Sequence, residues 1–332
     1  MLRWQIEKKI LDLKYTWKIS RNASDSKTNL FVKVSDHLYE GLGEAAPNIR
    51  YNETPESLEK QFQAFLSLPV NMVSSLSGLE SHLRNVTISN SLRFAIESAY
   101  INYLVKKSAS SVYDVLNILP PQKIFTAFSI PIMEIGEIKN FYKQNKLSRF
   151  KFIKIKVNHE SGLETLHHIS TFIDQSMIVD ANESWTDVEQ LIYLLEKIKK
   201  QRIEFVEQPM PAAMTEESLY LKKHSPFRLF ADESVTDAAD FSLLKKMFDG
   251  VNIKLMKAGG YLNGIWLLKE AKANKMQTMI GCMVETTLGI SAGMHLCSLA
   301  DYVDLDSFIL LKNEPFNTVH EKDGELLFNQ CF

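Results

Sequence analysis

Apolar, strand-like segments alternate with helical patterns through the second half of the chain. The segments IFTAFSI, FIKIKV, MIVDAN, IEFVEQP, FRLFADE, VNIKLM, QTMIGCM and YVDLDSF recur about every 25 residues between Ile124 and Phe308. Stretches with apolar residues at helical spacing separate them, the first over 138–145 and the last over 289–299. This alternation is typical of parallel βαβ units. It predicts an α/β fold, a TIM-like (β/α)7β barrel over residues 120–308, since a doubly wound open sheet usually has fewer strands.

The first 119 residues follow a different order. Extended candidates over 5–15, 29–34 and 38–45 come first, and helical patterns over 55–66 and 92–106 follow. Strands followed by helices predict a separate α+β domain over residues 1–119. The boundary is expected at Leu119-Pro120-Pro121, because two prolines interrupt a helical pattern. After Phe308 the barrel period is lost, and we expect the tail, residues 309–332, to pack back on the N-terminal domain.

Composition limits the classes of partner. The 38 Lys and Arg residues nearly balance 40 Asp and Glu without a block of one sign, so we expect neither nucleic acid nor a membrane as partner. The N-terminus lacks the apolar core of a signal peptide. Three unpatterned cysteines (Cys282, Cys297 and Cys331) favour a reducing, cytoplasmic location. Association into a homo-oligomer is left open.

Charged residues stand at the ends of six of the apolar segments. They are two lysines and four carboxylates: Lys156, Asp180, Glu207, Asp232, Lys254 and Asp306. An ionised group in an apolar strand is costly unless it is paired or bound to a metal ion. Six at corresponding places therefore indicate one shared site with acid/base and metal-binding groups.

The lysines are candidates for acid/base chemistry. Side chains alternate along a strand, so Lys154 and Lys156 share a face that would point into the barrel mouth. A solvated edge strand explains this hexapeptide alone equally well. A lysine that acts as a general base needs its pKa lowered by burial or by neighbouring cations, and for Lys156 we expect Lys154 and a nearby metal ion to supply them. Lys254 would face Lys156 across the mouth. Lys257 is interpreted as a loop residue.

Three carboxylates follow successive strands and predict a metal site. Oxygen ligands from Asp180, Glu207 and Asp232 suit a hard cation such as Mg²⁺. Any one of them alone is better explained as a helix cap or loop carboxylate. Three at matching positions make that explanation much weaker. Asn182 and Glu233 are expected to support these ligands without binding the cation themselves.

Two carboxylates at the last strand are candidates for substrate binding. Asp304 and Asp306 lie two residues apart, which predicts one strand face and a receptor for an ammonium group. A solvated strand end would explain the pair equally well if it stood alone. Glu285 follows QTMIGCM and is expected to shape the adjoining loop of the substrate site.

These strings, in this order, resemble the enolase superfamily, within it the muconate lactonizing enzyme subgroup, and among these the dipeptide epimerases. They are KIK, VDANESW, VEQP, ADES, NIKLMKAGG and DLD, with GLGEAAP in the first domain. The resemblance implies a capping N-terminal domain and one Mg²⁺ per subunit, bound by Asp180, Glu207 and Asp232. It also implies that Lys156 and Lys254 transfer the proton and that Lys154 supports an enolate. Asp304 and Asp306 would hold the ammonium group of the substrate.

The implied reaction inverts the C-terminal residue of an L-Ala-X dipeptide by 1,1-proton transfer. Members that act on Ala-Glu tend to carry an arginine in the first capping loop, where this chain has Ser24, with Arg21 nearby. Both are candidate substrate contacts, and the identity of X stays open.

Other functions remain as alternatives. N-acylamino acid racemisation and o-succinylbenzoate synthesis use the same scaffold, but their substrates lack an ammonium group for the DLD pair. A non-catalytic metal-binding barrel would not need two opposed lysines. A Schiff-base aldolase would leave three aligned carboxylates without a role.

Overall fold

The computed structural model describes residues 1–329, so Cys331 and the end of the predicted tail lie outside the described residues. An antiparallel sheet in the order β1-β2-β3 opens the chain. Its strands are β1 (Arg3–Lys18), β2 (Ala23–Ser35) and β3 (Glu40–Ala45). The helices that follow are α1 (Pro55–Leu66), α2 (Leu76–Arg84), α3 (Asn90–Ser108) and α4 (Val112–Leu116). The short helices α2 and α4 were not predicted, because five to nine residues carry little periodicity.

Local sequence explains how this domain assembles. Pro55 stands at the start of α1, where Thr54 and Ser57 form a reciprocal capping box. Helix α3 packs directly against β3. A Cβ atom added to Gly41 or Gly43 would lie 2.1 Å from a backbone oxygen of α3, so only glycine allows this close approach.

Eight parallel strands form the second domain. They are β4 (Phe128–Ile130), β5 (Phe152–Lys156), β6 (Ser176–Asp180), β7 (Ile203–Glu207), β8 (Leu229–Ala231), β9 (Gly250–Lys254), β10 (Gln277–Gly281) and β11 (Tyr302–Asp304). The helices between and around them are α5 (Ile135–Gln144), α6 (Gly162–Ile169), α7 (Val188–Ile198), α8 (Thr215–His224), α9 (Phe241–Met247), α10 (Leu255–Ala258), α11 (Tyr261–Ala273) and α12 (Thr287–His295).

The strands are hydrogen-bonded in sequence order from β4 to β11. The amide of Ala127 donates to the carbonyl of Val303 at 2.9 Å, which joins the two ends of the sheet. The prediction of a TIM-like barrel with an N-terminal α+β domain is therefore confirmed.

Strand alternation divides the barrel residues between two environments. Ile153 and Ile155 face outward into the core beneath the helices. Below the lysines the barrel interior is filled by aromatic rings, with Phe205 and Phe230 stacked at 3.7 Å between centroids. Because the lower layer is apolar and closed, the charged residues at the carboxyl ends of the strands form the floor of the barrel mouth.

Two predicted placements are wrong. Strand β11 ends at Asp304, and Asp306 has helical dihedral angles (φ −99°, ψ −6°) at the start of a 3₁₀ turn over Ser307–Leu310. The chain turns there to leave the barrel, so strand alternation does not orient Asp306. Lys257 is not a loop residue; it lies in α10 and is 2% exposed.

The tail touches both domains. The backbone amide of Lys312 donates a hydrogen bond to the backbone carbonyl of Asp12 in β1 at 2.9 Å, and the centroid of the Phe316 ring lies 5.1 Å from that of Phe31. The chain then forms a hairpin of β12 (Val319–Lys322) and β13 (Glu325–Phe328). Within this hairpin Glu321 pairs with Arg149 of the barrel at 2.7 Å. Among residues 1–329, no helix combines the length and apolarity that crossing a membrane requires.

Candidate active site

A cavity of about 380 Å³ lies at the carboxyl ends of the barrel strands. The N-terminal domain supplies its roof, from the β1–β2 loop, β2 and the segment after β3. The barrel supplies its floor, which includes Lys154, Lys156, Asp232 and Lys254. The carboxyl end is where parallel barrels place their sites, because the loops there converge.

Three carboxylates converge at the carboxyl ends of β6, β7 and β8, and one of them, Asp232, lines the cavity. Ligand oxygens of Asp180, Glu207 and Asp232 all lie within 4.8 Å of one another, and each residue is buried. Glu207 Oε1 accepts a hydrogen bond from Asn252 Nδ2 at 2.8 Å, and its Oε2 lies 2.8 Å from the ammonium of Lys154. Three buried carboxylates whose oxygens converge fit a hard divalent cation.

Lys154 lies among these acidic groups. Its Nζ is 2.9 Å from Asp180, 2.8 Å from Glu207 and 2.8 Å from Asp304. Burial lowers the pKa of Lys154, but the neighbouring carboxylates more than offset burial and hold that pKa well above its ordinary value. Burial, together with the charge of Asp180, raises the pKa of Glu207.

Lys156 and Lys254 stand on strands β5 and β9, four positions apart in the eight-stranded barrel. Lys156 donates to Asp180 at 2.6 Å and Lys254 to Asp232 at 2.8 Å. Burial lowers the pKa of Lys254, yet Asp232 and Glu207 raise it above its ordinary value. Carboxylates therefore dominate the surroundings of Lys254.

Lys257 is a contact that sequence reasoning missed. Its ammonium donates to the carboxylate of Asp232 at 2.5 Å and to the carbonyl of Asn252 at 3.2 Å. Asp232 is therefore held between Lys254 and Lys257. A one-turn helix after β9 leaves no periodic signal that could have placed this side chain.

Asp304 and Asp306 meet at one side of the cavity. The backbone amide of Ser129 donates to Asp306 at 2.6 Å, and its hydroxyl donates to Asp304 at 3.3 Å. Burial and the charge of Asp304 raise the pKa of Asp306. Ser129 in β4 was not predicted, since a serine in an apolar segment carries no distinctive signal.

The loops that follow β6 and β8 bind the capping domain. Arg21 contacts Glu183 at 2.8 Å and Glu233 at 2.7 Å, while Arg50 forms two hydrogen bonds with Glu183 at 2.8 and 2.9 Å. The backbone carbonyl of Asn182 accepts a hydrogen bond from Arg21, and the backbone amide of Asn182 donates one to the carboxylate of Asp180 at 3.0 Å. Asn182 and Glu233 thus connect the metal-ligand strands to the roof. Arg50 and Glu183 were not predicted.

Two predicted substrate contacts do not line the cavity. The Ser24 hydroxyl donates to the carbonyl of Ser26 at 2.5 Å, within the β1–β2 hairpin. Glu285 is 4% exposed and accepts from the amide of Met283 at 2.8 Å, which shapes the loop after β10. Neither side chain lines the cavity, because Ser24 bonds to a carbonyl of its own strand and Glu285 to an amide of its own loop.

The fold and this arrangement of carboxylates and lysines define a member of the enolase class of barrels. Residues 137–321 match the family described as Enolase C-terminal domain-like, which is more than half of the 332-residue chain. The chain belongs to this family.

Several epimerases are similar to this chain over nearly its whole length. An L-Ala-D/L-amino acid epimerase from Pedosphaera parvula is 34% identical over 331 residues, covering 96% of this chain and 93% of the relative. A solved L-Ala-D/L-Glu epimerase is 26% identical with a TM-score of 0.85, covering 98% of each chain. A dipeptide epimerase from Cytophaga hutchinsonii, solved with Mg and D-Ala-L-Val, is 20% identical and shares the fold at a TM-score of 0.91, covering 98% of this chain and 92% of that one.

Proposed function

We propose that this protein is a Mg²⁺-dependent dipeptide epimerase that inverts the C-terminal residue of an L-Ala-X dipeptide. The observation that carries the proposal is the pair Lys156 and Lys254, on opposed strands of one cavity, with three buried carboxylates between them. The relatives named as L-Ala-D/L-amino acid and L-Ala-D/L-Glu epimerases support the same reaction.

Asp180, Glu207 and Asp232 would hold one Mg²⁺ per subunit. Their oxygens converge within 4.8 Å of one another, and all three residues are buried. When bound, the cation would neutralise negative charge developing on the substrate carboxylate, without which the adjacent Cα proton is too weakly acidic to be removed.

The lysines supply the proton transfer. A Cα atom held between β5 and β9 would present one face to Lys156 and the other to Lys254. One lysine, in its neutral form, would accept the proton at Nζ, and the other would return a proton from its ammonium to the opposite face. Asp180 and Asp232, which accept from these two ammonium groups at 2.6 and 2.8 Å, orient them toward the cavity.

Asp304 and Asp306 would bind the substrate's N-terminal ammonium. Both line the cavity, and Asp306 accepts only from a backbone amide among its hydrogen bonds within residues 1–329. A positively charged group satisfies a buried carboxylate pair better than a neutral one does. This pair favours a dipeptide over the substrates of N-acylamino acid racemases and o-succinylbenzoate synthases.

Incubation of a dipeptide library in D₂O with Mg²⁺, read by mass spectrometry, tests the proposal. We expect one deuteron to enter at the Cα of the C-terminal residue, and we expect a chelator, Lys156→Ala or Lys254→Ala to abolish the exchange. Lys199→Ala, in an exposed pair with Glu196, is the matched control. Turnover of a succinylbenzoate precursor without exchange in any dipeptide would contradict it.

Location and assembly complete the proposal. Within residues 1–329, Cys282 and Cys297 form no disulfide, which agrees with a reducing, cytoplasmic setting. Association into a homo-oligomer stays a prediction; Trp266 on α11 is 45% exposed and is one apolar group that such contacts could cover. Light scattering after size-exclusion chromatography measures it.

A further inference from the structure

One cation of the cavity differs from the others in having no charge partner. Six Lys and Arg side chains line the cavity, and five have a carboxylate oxygen within 3 Å: Arg21, Arg50, Lys154, Lys156 and Lys254. The sixth is Lys27. Within residues 1–329 its ammonium has neither an ion pair nor a hydrogen bond to any group.

Lys27 lies on the roof of the cavity, in strand β2 opposite Leu11 of β1. It shares a strand face with Asn29, whose amide donates to the carbonyl of Val284 in the loop after β10 at 2.9 Å. This contact ties the face to the barrel mouth. Burial lowers the pKa of Lys27.

A half-buried ammonium without a counter-charge is unfavourable, and a ligand carboxylate would relieve that cost. The two arginines of the roof, Arg21 and Arg50, are not available to pair with a ligand carboxylate. Arg21 and Arg50 neutralise Glu183 and Glu233, whose side chains are 8% and 2% exposed. Turning Arg21 to a ligand would leave the buried Glu233 without its ion pair, and turning Arg50 would take one of the two arginines from Glu183.

Resting on the proposed function, we propose that Lys27 binds the side-chain carboxylate of the epimerised residue, so that the preferred substrates are dipeptides with a C-terminal Glu or Asp. The other charges of such a dipeptide are already matched, the ammonium by Asp304 and Asp306 and the main-chain carboxylate by the cation. Only the side-chain carboxylate needs a further partner. Lys27 thus supplies the charge that Ser24 does not.

A paired substrate comparison tests this inference. We would measure kcat/KM for L-Ala-L-Glu and for its neutral isostere L-Ala-L-Gln by deuterium exchange at Cα. A charge-assisted hydrogen bond predicts a preference for Glu of about 10-fold or more. Lys27→Met should remove this preference, mainly through a higher KM, because the contact is remote from the transferred proton. Lys27→Arg should largely keep it.

The control is Lys33→Met, on the same strand but outside the cavity, where Lys33 pairs with Glu40 at 3.3 Å. It should retain the wild-type Glu/Gln ratio. Circular dichroism and thermal unfolding check that each variant is folded, and Lys27→Gln is the second charge-removing variant. Added NaCl should reduce the Glu/Gln ratio of the wild type but not that of Lys27→Met.

Three results would overturn the inference while leaving the epimerase in place. They are equal kcat/KM for Glu and Gln, an unchanged ratio in Lys27→Met, and a Lys27-dependent preference for L-Glu-L-Ala over L-Gln-L-Ala. The last would assign the lysine to the N-terminal residue. Absence of exchange with every dipeptide would instead overturn the proposed function, and this inference with it.

Discussion

Individual residues of this protein are constrained mainly by what lies within hydrogen-bonding or van der Waals distance. Asp232 shows this most clearly, since Lys254 and Lys257 contact its two carboxylate oxygens at 2.8 and 2.5 Å. Gln208 adds a further constraint, because its side-chain oxygen accepts from the amides of Asp232 and Ser234 at 2.9 and 3.0 Å. A ligand held in this way keeps one rotamer, which is what a preorganised metal site needs.

Two glycines with different surroundings provide a prediction at this scale. Gly43→Ala should destabilise the protein by about 3 kcal/mol or more, since its Cβ would lie 2.1 Å from the carbonyl oxygen of Ala95. Gly136→Ala should stabilise α5 by up to about 1 kcal/mol, because nothing lies within 4 Å of the added methyl group. Urea unfolding measures both. Equal effects would contradict the close packing of β3 on α3.

At the scale of elements, side chains of one domain form hydrogen bonds with backbone groups of the other domain and so join the two. Glu97 of α3 is 1% exposed, and it accepts from the amide of Leu262 in the first turn of α11 at 3.1 Å. The same contact explains why residue 260 is a glycine, since a Cβ atom at this position would overlap the carboxyl group of Glu97.

Glu97 also predicts a pH dependence. Burial, with a smaller contribution from the charge of Glu80, raises its pKa to about 8, although the amide of Leu262 and the charge of Arg93 act to lower that pKa. The folded state therefore keeps its proton while the unfolded state, with a pKa near 4.3, loses it. The stability that Glu97 contributes is present below about pH 4.5 and is lost as the pH rises through 8.

Glu97→Gln should consequently gain stability relative to the wild type as the pH rises from 5 to 8.5, by about 2 kcal/mol or more. Urea unfolding of both proteins across this range measures the difference. Glu59→Gln, on α1 in a partly exposed contact with Lys8, should show no such trend. A constant difference between Glu97→Gln and wild type would mean that Glu97 is ionised when folded.

At the scale of the whole molecule, the proposed metal site unites strands that are far apart in sequence. Its three carboxylates come from β6, β7 and the residue after β8, and the roof comes from the first 51 residues. Binding at such a site stabilises the barrel as a unit, because the unfolded chain cannot hold the three ligands together.

Mg²⁺ should accordingly raise the unfolding temperature, with a gain of about 2.7 kcal/mol when its concentration is 100 times its Kd. EDTA should reverse the increase, and Glu207→Gln should abolish it. Differential scanning calorimetry is the measurement. Glu204→Gln is the control on the same strand, since Glu204 contacts Arg228 and Tyr302 and is not among the three ligands. A response kept in Glu207→Gln would place the ion elsewhere.

The amino-acid sequence by itself determined the barrel, the α+β domain and the identity of the strand-end charges. These follow from periodicity, which is local: alternating side chains separate Ile153 and Ile155 from Lys154 and Lys156 before any partner is known. The carboxylate triad followed from the same logic, because parallel strands bring their carboxyl ends to one edge.

The tertiary structure alone decided which charges neutralise one another. Lys257 pairs with Asp232, and Arg50 pairs with Glu183. The structure also decided two placements: the Ser24 hydroxyl donates to the carbonyl of Ser26, and Asp306 lies beyond the end of β11. Charge pairs between the two domains join residues up to 212 positions apart, as Arg21 and Glu233 do, and they depend on how loops from the two domains meet. No short-range pattern encodes such contacts. For the same reason only the folded chain shows Lys27 as the cavity cation without a carboxylate, within the part of the chain that the structure describes.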